Sequence, residues 1–143
     1  MYSAVNDLKN LLPEVELLQL ADDSGEASGL EDEDVQAVLI EAIDQADREI
    51  DAFAGLVQSV PLDPVPGLAA NLSARIAIHN LYVRRSTVPE DWQRDYERCQ
   101  KLLEMIGRGN LKLGPAPGGT STPSGGVRYT GAAKKFGDLG DLW

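Results

Sequence analysis

The chain has 143 residues, of which 43% are hydrophobic, and its 23 acidic and 13 basic side chains give a formal net charge of −10 at pH 7. This length is enough for one domain with its own core, and the single cysteine excludes an internal disulfide framework and every multi-cysteine zinc site. No apolar run approaches the roughly 18–20 residues of a membrane-spanning helix, and the acidic charge opposes nonspecific binding to nucleic acid, which needs clustered Lys and Arg.

Two short helices are predicted at the start of the chain. Ser3 suits the N-cap of a helix over about 4–12, because its hydroxyl can accept an unpaired backbone N–H. Pro13 suits the first turn of a second helix, whose apolar positions end at Leu20. A turn-rich segment over 22–29 then separates these helices from the rest of the domain.

A long amphipathic helix is predicted from about Glu31 to Val57. Ser28 and Glu31 have the spacing of a capping box, and three more acidic residues load the first turn. Apolar residues recur at steps of three and four, which places them on one face. They are Val35, Val38, Leu39, Ala42, Ile43, Ala46, Ile50, Phe53 and Val57. The acidic side chains of the other faces include Glu41, Asp44, Asp47 and Asp51.

Two further long helices complete the predicted domain. Three prolines make 58–66 a crossover, after which 67–85 is apolar on most sides and is predicted to be the central helix. Pro89 opens the last helix, which ends near 107. Because no alternating strand pattern competes, we expect an all-α fold of two short and three long helices. The expected core comprises Leu39, Ile43, Ile50, Leu72, Ile76, Leu81, Tyr96 and Leu103.

The chain changes character after this helical domain, which we assign to residues 1–114. Residues 115–126 are rich in Gly, Pro, Ser and Thr and are predicted to be a linker. Residues 127–143 regain large apolar side chains, which is typical of an extended docking tail with anchor residues. The predicted partner-binding residues are Lys134, Lys135, Phe136, Leu139, Leu142 and Trp143.

The sequence contains little that indicates catalysis. His79 and Cys99 both lie on packing faces of predicted helices, where a structural role is favoured over a catalytic pair. The twelve residues 22–33 resemble a calcium loop in length, but Ala27 stands where the sharp turn needs Gly, and Leu30 occupies the ninth position. We therefore expect no enzyme activity, no cofactor and no metal site.

Charge is divided unequally along the chain. Residues 1–57 hold 15 acidic side chains and only two basic ones, whereas residues 58–143 hold 11 basic and 8 acidic side chains. The two parts could attract one another between neighbouring copies. The alternative is an acidic face that is simply solvated and keeps the protein soluble.

The order of residues resembles the short helical neck proteins of Mu-like tailed phages, a family related in fold to head–tail connector adaptors. The resemblance covers about residues 1–114. It rests on the opening Met1-Tyr2-Ser3 with Asp7-Leu8, the crossover from Pro61-Leu62 to Val65-Pro66, the run Arg75 to Arg85, the segments Val88-Pro89-Glu90 and Tyr96-Glu97-Arg98, and the closing Leu102, Ile106, Gly109, Leu111 and Gly114.

This resemblance implies a structural protein of the virion neck, made in the host cytoplasm and without catalytic residues. It implies a homo-oligomeric ring of twelve subunits that joins the portal protein to a tail-side neck or tail-terminator protein, with no membrane partner. DNA would pass through the ring without specific binding. Glu41, Asp44, Asp47 and Asp51 are then expected either to line the channel or to face Arg84, Arg85 or Arg94 of a neighbouring subunit.

A second class of function also fits the acidic composition. An acidic helical interaction protein, such as a DNA mimic that inhibits a nucleic-acid enzyme, would be monomeric or dimeric and would bind a basic partner in a salt-sensitive way. A connector would instead form rings or require a portal. Deletion of residues 127–143 is expected to leave a folded helical domain and to abolish stable attachment to the portal or the adjacent ring.

Overall fold

A computed structural model describes residues 1–113, which contain five helices and no strand. The helices are α1 (Val5–Leu11), α2 (Glu14–Ala21), α3 (Glu33–Ala54), α4 (Gly67–Arg84) and α5 (Glu90–Gly107). The predicted all-α fold of two short and three long helices is confirmed. None of these helices is both long and apolar enough to cross a membrane. The linker and docking tail predicted over 115–143 lie outside the described residues.

The three long helices form the centre of the domain. α3 and α4 are antiparallel neighbours, and α5 packs against both, while α1 contacts α4 and α2 contacts both α3 and α4. The central position of α4 agrees with its sequence, since nine of its residues from Ala69 to Leu81 are buried. Helices this short are stabilised mainly by burial of their apolar faces, so the domain depends on these contacts.

The predicted core is confirmed at seven of its eight positions. Ile43 of α3 and Leu72 of α4, for example, are 0% and 1% exposed. Tyr96 is the exception, because it is only partly buried. Its ring packs against the core while its hydroxyl reaches outward to donate to Glu49 at 2.9 Å.

Both predicted N-caps are wrong. α1 starts after Ala4, whose backbone N–H donates to the Asp7 carboxylate at 2.8 Å, and Ser3 instead pairs with Ser73 of α4. α3 starts after Asp32, whose carboxylate accepts from the backbone N–H groups of the first turn. At α3 a carboxylate, which makes stronger charge-assisted bonds, satisfies N–H groups of the first turn in place of a serine hydroxyl, whereas at α1 the Asp7 carboxylate accepts from the N-cap N–H.

α3 also ends three residues before its predicted boundary. The backbone N–H groups of Leu56 and Val57 donate to carbonyls three residues back, which tightens the chain into a turn after Ala54. Val57 therefore leaves the apolar stripe of α3 and is 47% exposed. This early ending places several apolar side chains at one end of the bundle.

Candidate interaction surfaces

The four α3 carboxylates predicted to line a channel fall into two groups. Glu41 is exposed and lies 3.8 Å from the guanidinium of Arg48, while Asp44 is half-buried on the same outer side of the helix. Asp47 and Asp51 lie instead against the first residues of the chain. The channel-lining assignment stays a prediction, and only the first two carboxylates are available for it.

Asp47 and Asp51 hold the N-terminal segment in place. Asp47 accepts from the backbone N–H of Tyr2 at 2.9 Å and from the hydroxyl of Ser73 at 2.6 Å, while Asp51 accepts from the Tyr2 phenol. That phenol oxygen also accepts from the backbone N–H of Leu62 at 2.8 Å. One network therefore joins the chain start, α3, α4 and the crossover between them.

Burial dominates the electrostatics of this network. It raises the pKa of Tyr2 to about 12, and the hydrogen bond to Asp51 acts in the same direction. Burial also raises the pKa of Asp47, although the bonds from Ser73 and from the Tyr2 backbone partly oppose it. Tyr2, Asp47 and Asp51 therefore have a structural role, because their side-chain oxygens already accept hydrogen bonds from donors of the same chain.

The arginines at the end of α4 are likewise engaged within the chain. Arg84 donates to Asp23 at 2.7 Å and to the carbonyl of Leu20 at 3.0 Å, and Arg85 reaches Asp23 at 3.1 Å and the carbonyl of Asp22 at 3.0 Å. These bonds satisfy carbonyls at the C-terminal end of α2. We expected acidic and basic residues of neighbouring copies to attract one another. Arg84 and Arg85 instead form their ion pairs within one subunit.

Arg94 also finds its acidic partners locally, on its own helix. Its guanidinium lies 3.1 Å from Asp91 and 3.7 Å from Glu90. All three side chains are mostly exposed, so these pairs contribute little to stability. Of the three arginines expected to meet a neighbour, Arg94 remains the most accessible.

His79 and Cys99 are buried in the packing between α4 and α5. The imidazole of His79 stacks on the ring of Tyr96, with centroids 3.8 Å apart, and its Nε2 lies 3.3 Å from the side-chain oxygen of Gln93. Burial raises the pKa of the Cys99 thiol to about 11. A protonated thiol is a poor nucleophile, so Cys99 has the features of a packing residue. His79 shares these features, because it is buried and stacked on Tyr96.

The segment that resembles a calcium loop is organised around one carboxylate. Asp22 accepts from the hydroxyl of Ser24 at 2.8 Å and from the backbone N–H groups of Ser24, Gly25 and Ala27. The hydrogen bond from the Ser24 hydroxyl is the leading cause of the lowered pKa of this carboxyl group. Within residues 1–113, no three His, Cys, Asp or Glu side chains are placed to hold a metal ion together.

An apolar groove lies where α3 and α5 end, and we call it the end groove. Its lining combines the apolar side chains of Val57, Ile106, Leu111 and Leu113 with Gln58, Gly109 and Lys112. Its volume is about 400 Å³. The sequence indicated the individual apolar residues but not the groove, because its walls come from segments about 50 positions apart.

Gly109, which lines the end groove, makes the turn that follows α5. Gly109 adopts φ +80°, so the backbone N–H groups of Gly109 and Asn110 donate back to the carbonyls of Ile106 and Met105 at 3.0 and 2.8 Å. This is the Schellman arrangement, which favours glycine because a side chain is strained at positive φ. It reverses the chain so that Leu111 returns over the end of α5.

The predicted partner-binding residues Lys134, Lys135, Phe136, Leu139, Leu142 and Trp143 lie outside the described residues, so their role stays a prediction. A comparison with curated proteins finds no match. A family model described as Bacteriophage Mu, Gp36 matches residues 2–130, which include all five helices. This match covers most of the chain and agrees with the resemblance carried by its helical segments. The chain is a phage protein and belongs to the Bacteriophage Mu, Gp36 family.

Proposed function

We propose that the chain is a head–tail connector of a tailed phage, which forms a ring between the portal and the tail. The main support for this proposal is the family match over residues 2–130, which spans the whole helical domain. The chain also resembles the neck proteins of Mu-like phages along the same segments. The virion neck is thus its proposed location, and the portal and a tail-side neck or terminator protein are its proposed partners.

The physical properties of the domain support this role. A closed ring is built from a heterologous contact, in which two different surfaces of one subunit meet those of its neighbours. The domain offers an acidic outer side on α3 and an apolar end groove beside residues 109–113. Its engaged carboxylates, Asp47 and Asp51, hold the N-terminal segment rigidly on the bundle.

Charge is consistent with passage of DNA. Glu41 and Asp44 would repel phosphates if the outer side of α3 faced the lumen, so DNA could slide without being retained. A ring of twelve would repeat each such carboxylate twelve times around the channel. Arg48 beside Glu41 reduces but does not reverse this acidic character.

The DNA-mimic alternative receives less support. A mimic needs an uninterrupted array of free carboxylates that a basic protein can bind. Asp23, Asp47 and Asp51 are occupied by groups of the same chain, and Glu41 has Arg48 as a neighbour. Salt-sensitive binding of the purified protein to a nucleic-acid enzyme would favour this alternative over the connector.

Particles of the phage that encodes the chain provide the direct test. Electron microscopy of complete particles is expected to show a ring of this protein at the head–tail junction, with about twelve copies per virion. Phage that lacks the protein is expected to accumulate filled heads separate from tails, and wild-type protein supplied in trans should restore joining. Its location on the capsid shell or along the tail tube, or normal joining without it, would contradict the proposal.

A further inference from the structure

The end groove has the properties of an unfilled contact surface. Leu56, Val57 and Val60, within five residues, are 70%, 47% and 39% exposed, and Val57 lines the groove. Apolar side chains scattered singly on a surface need no explanation, whereas a cluster around a concave groove marks a binding site. A volume of about 400 Å³ can take a large apolar side chain of a peptide.

We propose that the end groove binds the segment Phe136–Trp143 of a neighbouring copy of this chain. The segment carries four large apolar side chains in eight residues, and two aspartates stand between them. Lys112 lines the groove and forms no ion pair within residues 1–113. Groove and segment therefore match both in apolar anchors and in the sign of their charges.

The chain leaves the described domain at this same groove. Leu113 forms part of its wall, and residues 114–135 connect it to the proposed anchor segment. Those 22 residues can span at most about 75 Å, whereas the 22-residue α3 is about 33 Å long. The segment can thus reach the equivalent groove of a subunit packed alongside.

Binding to the groove of a neighbour, as distinct from the chain's own groove, rests on the proposed ring. A groove and a tethered segment that fits it are two different surfaces of one chain, which is what a heterologous ring contact requires. Each subunit would give its segment to one neighbour and receive one from the other. Repetition around the ring would raise the effective concentration of each segment at its groove.

Two full-length variants separate the halves of this contact. Val57→Asp places a charge in the groove at an exposed position, so folding is expected to be retained, and Phe136→Ala with Trp143→Ala removes the anchors. Neither variant should self-associate, yet a mixture of the two should form a complex with twice the mass of one chain, because only one contact can be made. Analytical ultracentrifugation measures these masses, and circular dichroism checks the helical content of each variant.

A labelled peptide of residues 127–143 tests the groove directly. By fluorescence anisotropy it is expected to bind the Phe136→Ala, Trp143→Ala variant at least about tenfold more tightly than the same variant carrying Val57→Asp. Val15→Asp, at an exposed apolar position of α2, is the matched control and should leave peptide affinity unchanged. Lys112→Glu should weaken binding, and Asp138→Lys with Asp141→Lys in the peptide should restore it.

The possible results separate this inference from the ring proposal. Absence of peptide binding, or binding unaffected by Val57→Asp, would overturn the groove assignment and leave the segment to another partner such as the portal. A mixed complex of the two variants, together with an unchanged protein that stays monomeric at the same concentration, would show that each segment occupies its own groove, which overturns the neighbour assignment. An unchanged protein that associates through this contact but never forms closed rings would support the contact while contradicting the proposed function.

Discussion

The phenol oxygen of Tyr2 accepts a hydrogen bond from the backbone N–H of Leu62 at 2.8 Å, across 60 positions of sequence. The same hydroxyl donates to Asp51, so the second residue of the chain connects α3 with the crossover that follows it. Leu62 is buried, and its N–H would lose its partner if the phenol were removed.

Tyr2→Phe is therefore expected to lower the free energy of unfolding by about 1–3 kcal/mol, because a buried N–H is left without an acceptor. Asp51→Asn should cost less, since an amide oxygen can still accept from the phenol. Urea unfolding followed by circular dichroism measures both effects. A Tyr2→Phe variant as stable as the unchanged protein would show that the hydroxyl contributes nothing.

Alkaline pH is expected to destabilise the domain. Burial, assisted by Asp51 and Glu49, raises the pKa of Tyr2 and Tyr96 to about 12, above the ordinary value of 10.0. The unfolded chain therefore releases these protons first, so their contribution is complete below pH 10 and is lost as the pH rises toward 12. Absorbance of phenolate near 295 nm and urea unfolding across this range test the shift. Tyr2→Phe or Tyr96→Phe should flatten the decline.

The Cys99 thiol is expected to be unreactive in the folded protein. It is 2% exposed, and burial followed by the nearby Asp95 raises its pKa to about 11. At pH 8 an aromatic disulfide reagent should modify it only as fast as the domain opens, and at once in 6–8 M urea, on the order of the concentrations that unfold small domains. Rapid stoichiometric labelling without denaturant would contradict the buried position.

Large-to-small substitutions should distinguish the core from its surface. Ile43→Ala or Leu72→Ala is expected to cost about 2–5 kcal/mol of unfolding free energy, since both side chains are fully buried. Ile40→Ala on α3 is the matched control, because that side chain is 39% exposed and should lose less. Equal losses at Ile40 and Ile43 in urea unfolding would contradict the assigned burial.

The lumen hypothesis predicts a charge effect on DNA passage. Glu41→Lys combined with Asp44→Lys should slow DNA ejection while leaving assembled rings intact, because lysines would bind passing phosphates. Glu41→Gln with Asp44→Asn is the control that removes charge without reversing it. Normal ejection kinetics from particles shown to contain the lysine variant would count against the lumen assignment. Asp47 and Asp51 are unsuitable for this test, since they hold Tyr2.

The helices could be predicted from sequence because their signals are local. The apolar periodicity of residues 35–54 and the prolines before 67 and 90 act over one or two turns of chain. Their caps were less predictable, since Ser28 and Asp32 both stood near the start of α3 and either side chain could have satisfied the first turn. The choice between them depended on where the loop enters the bundle.

The sequence by itself determined the five helices and the identity of most core residues. Only the tertiary structure decided how the polar residues are used. Ser3 meets Ser73, and Arg84 meets Asp23, across 70 and 61 positions respectively. Periodicity reports which face of a helix is apolar, but not which distant donor lies opposite a given carboxylate. Packing of α3, α4 and α5 sets those distances, and it also creates the end groove.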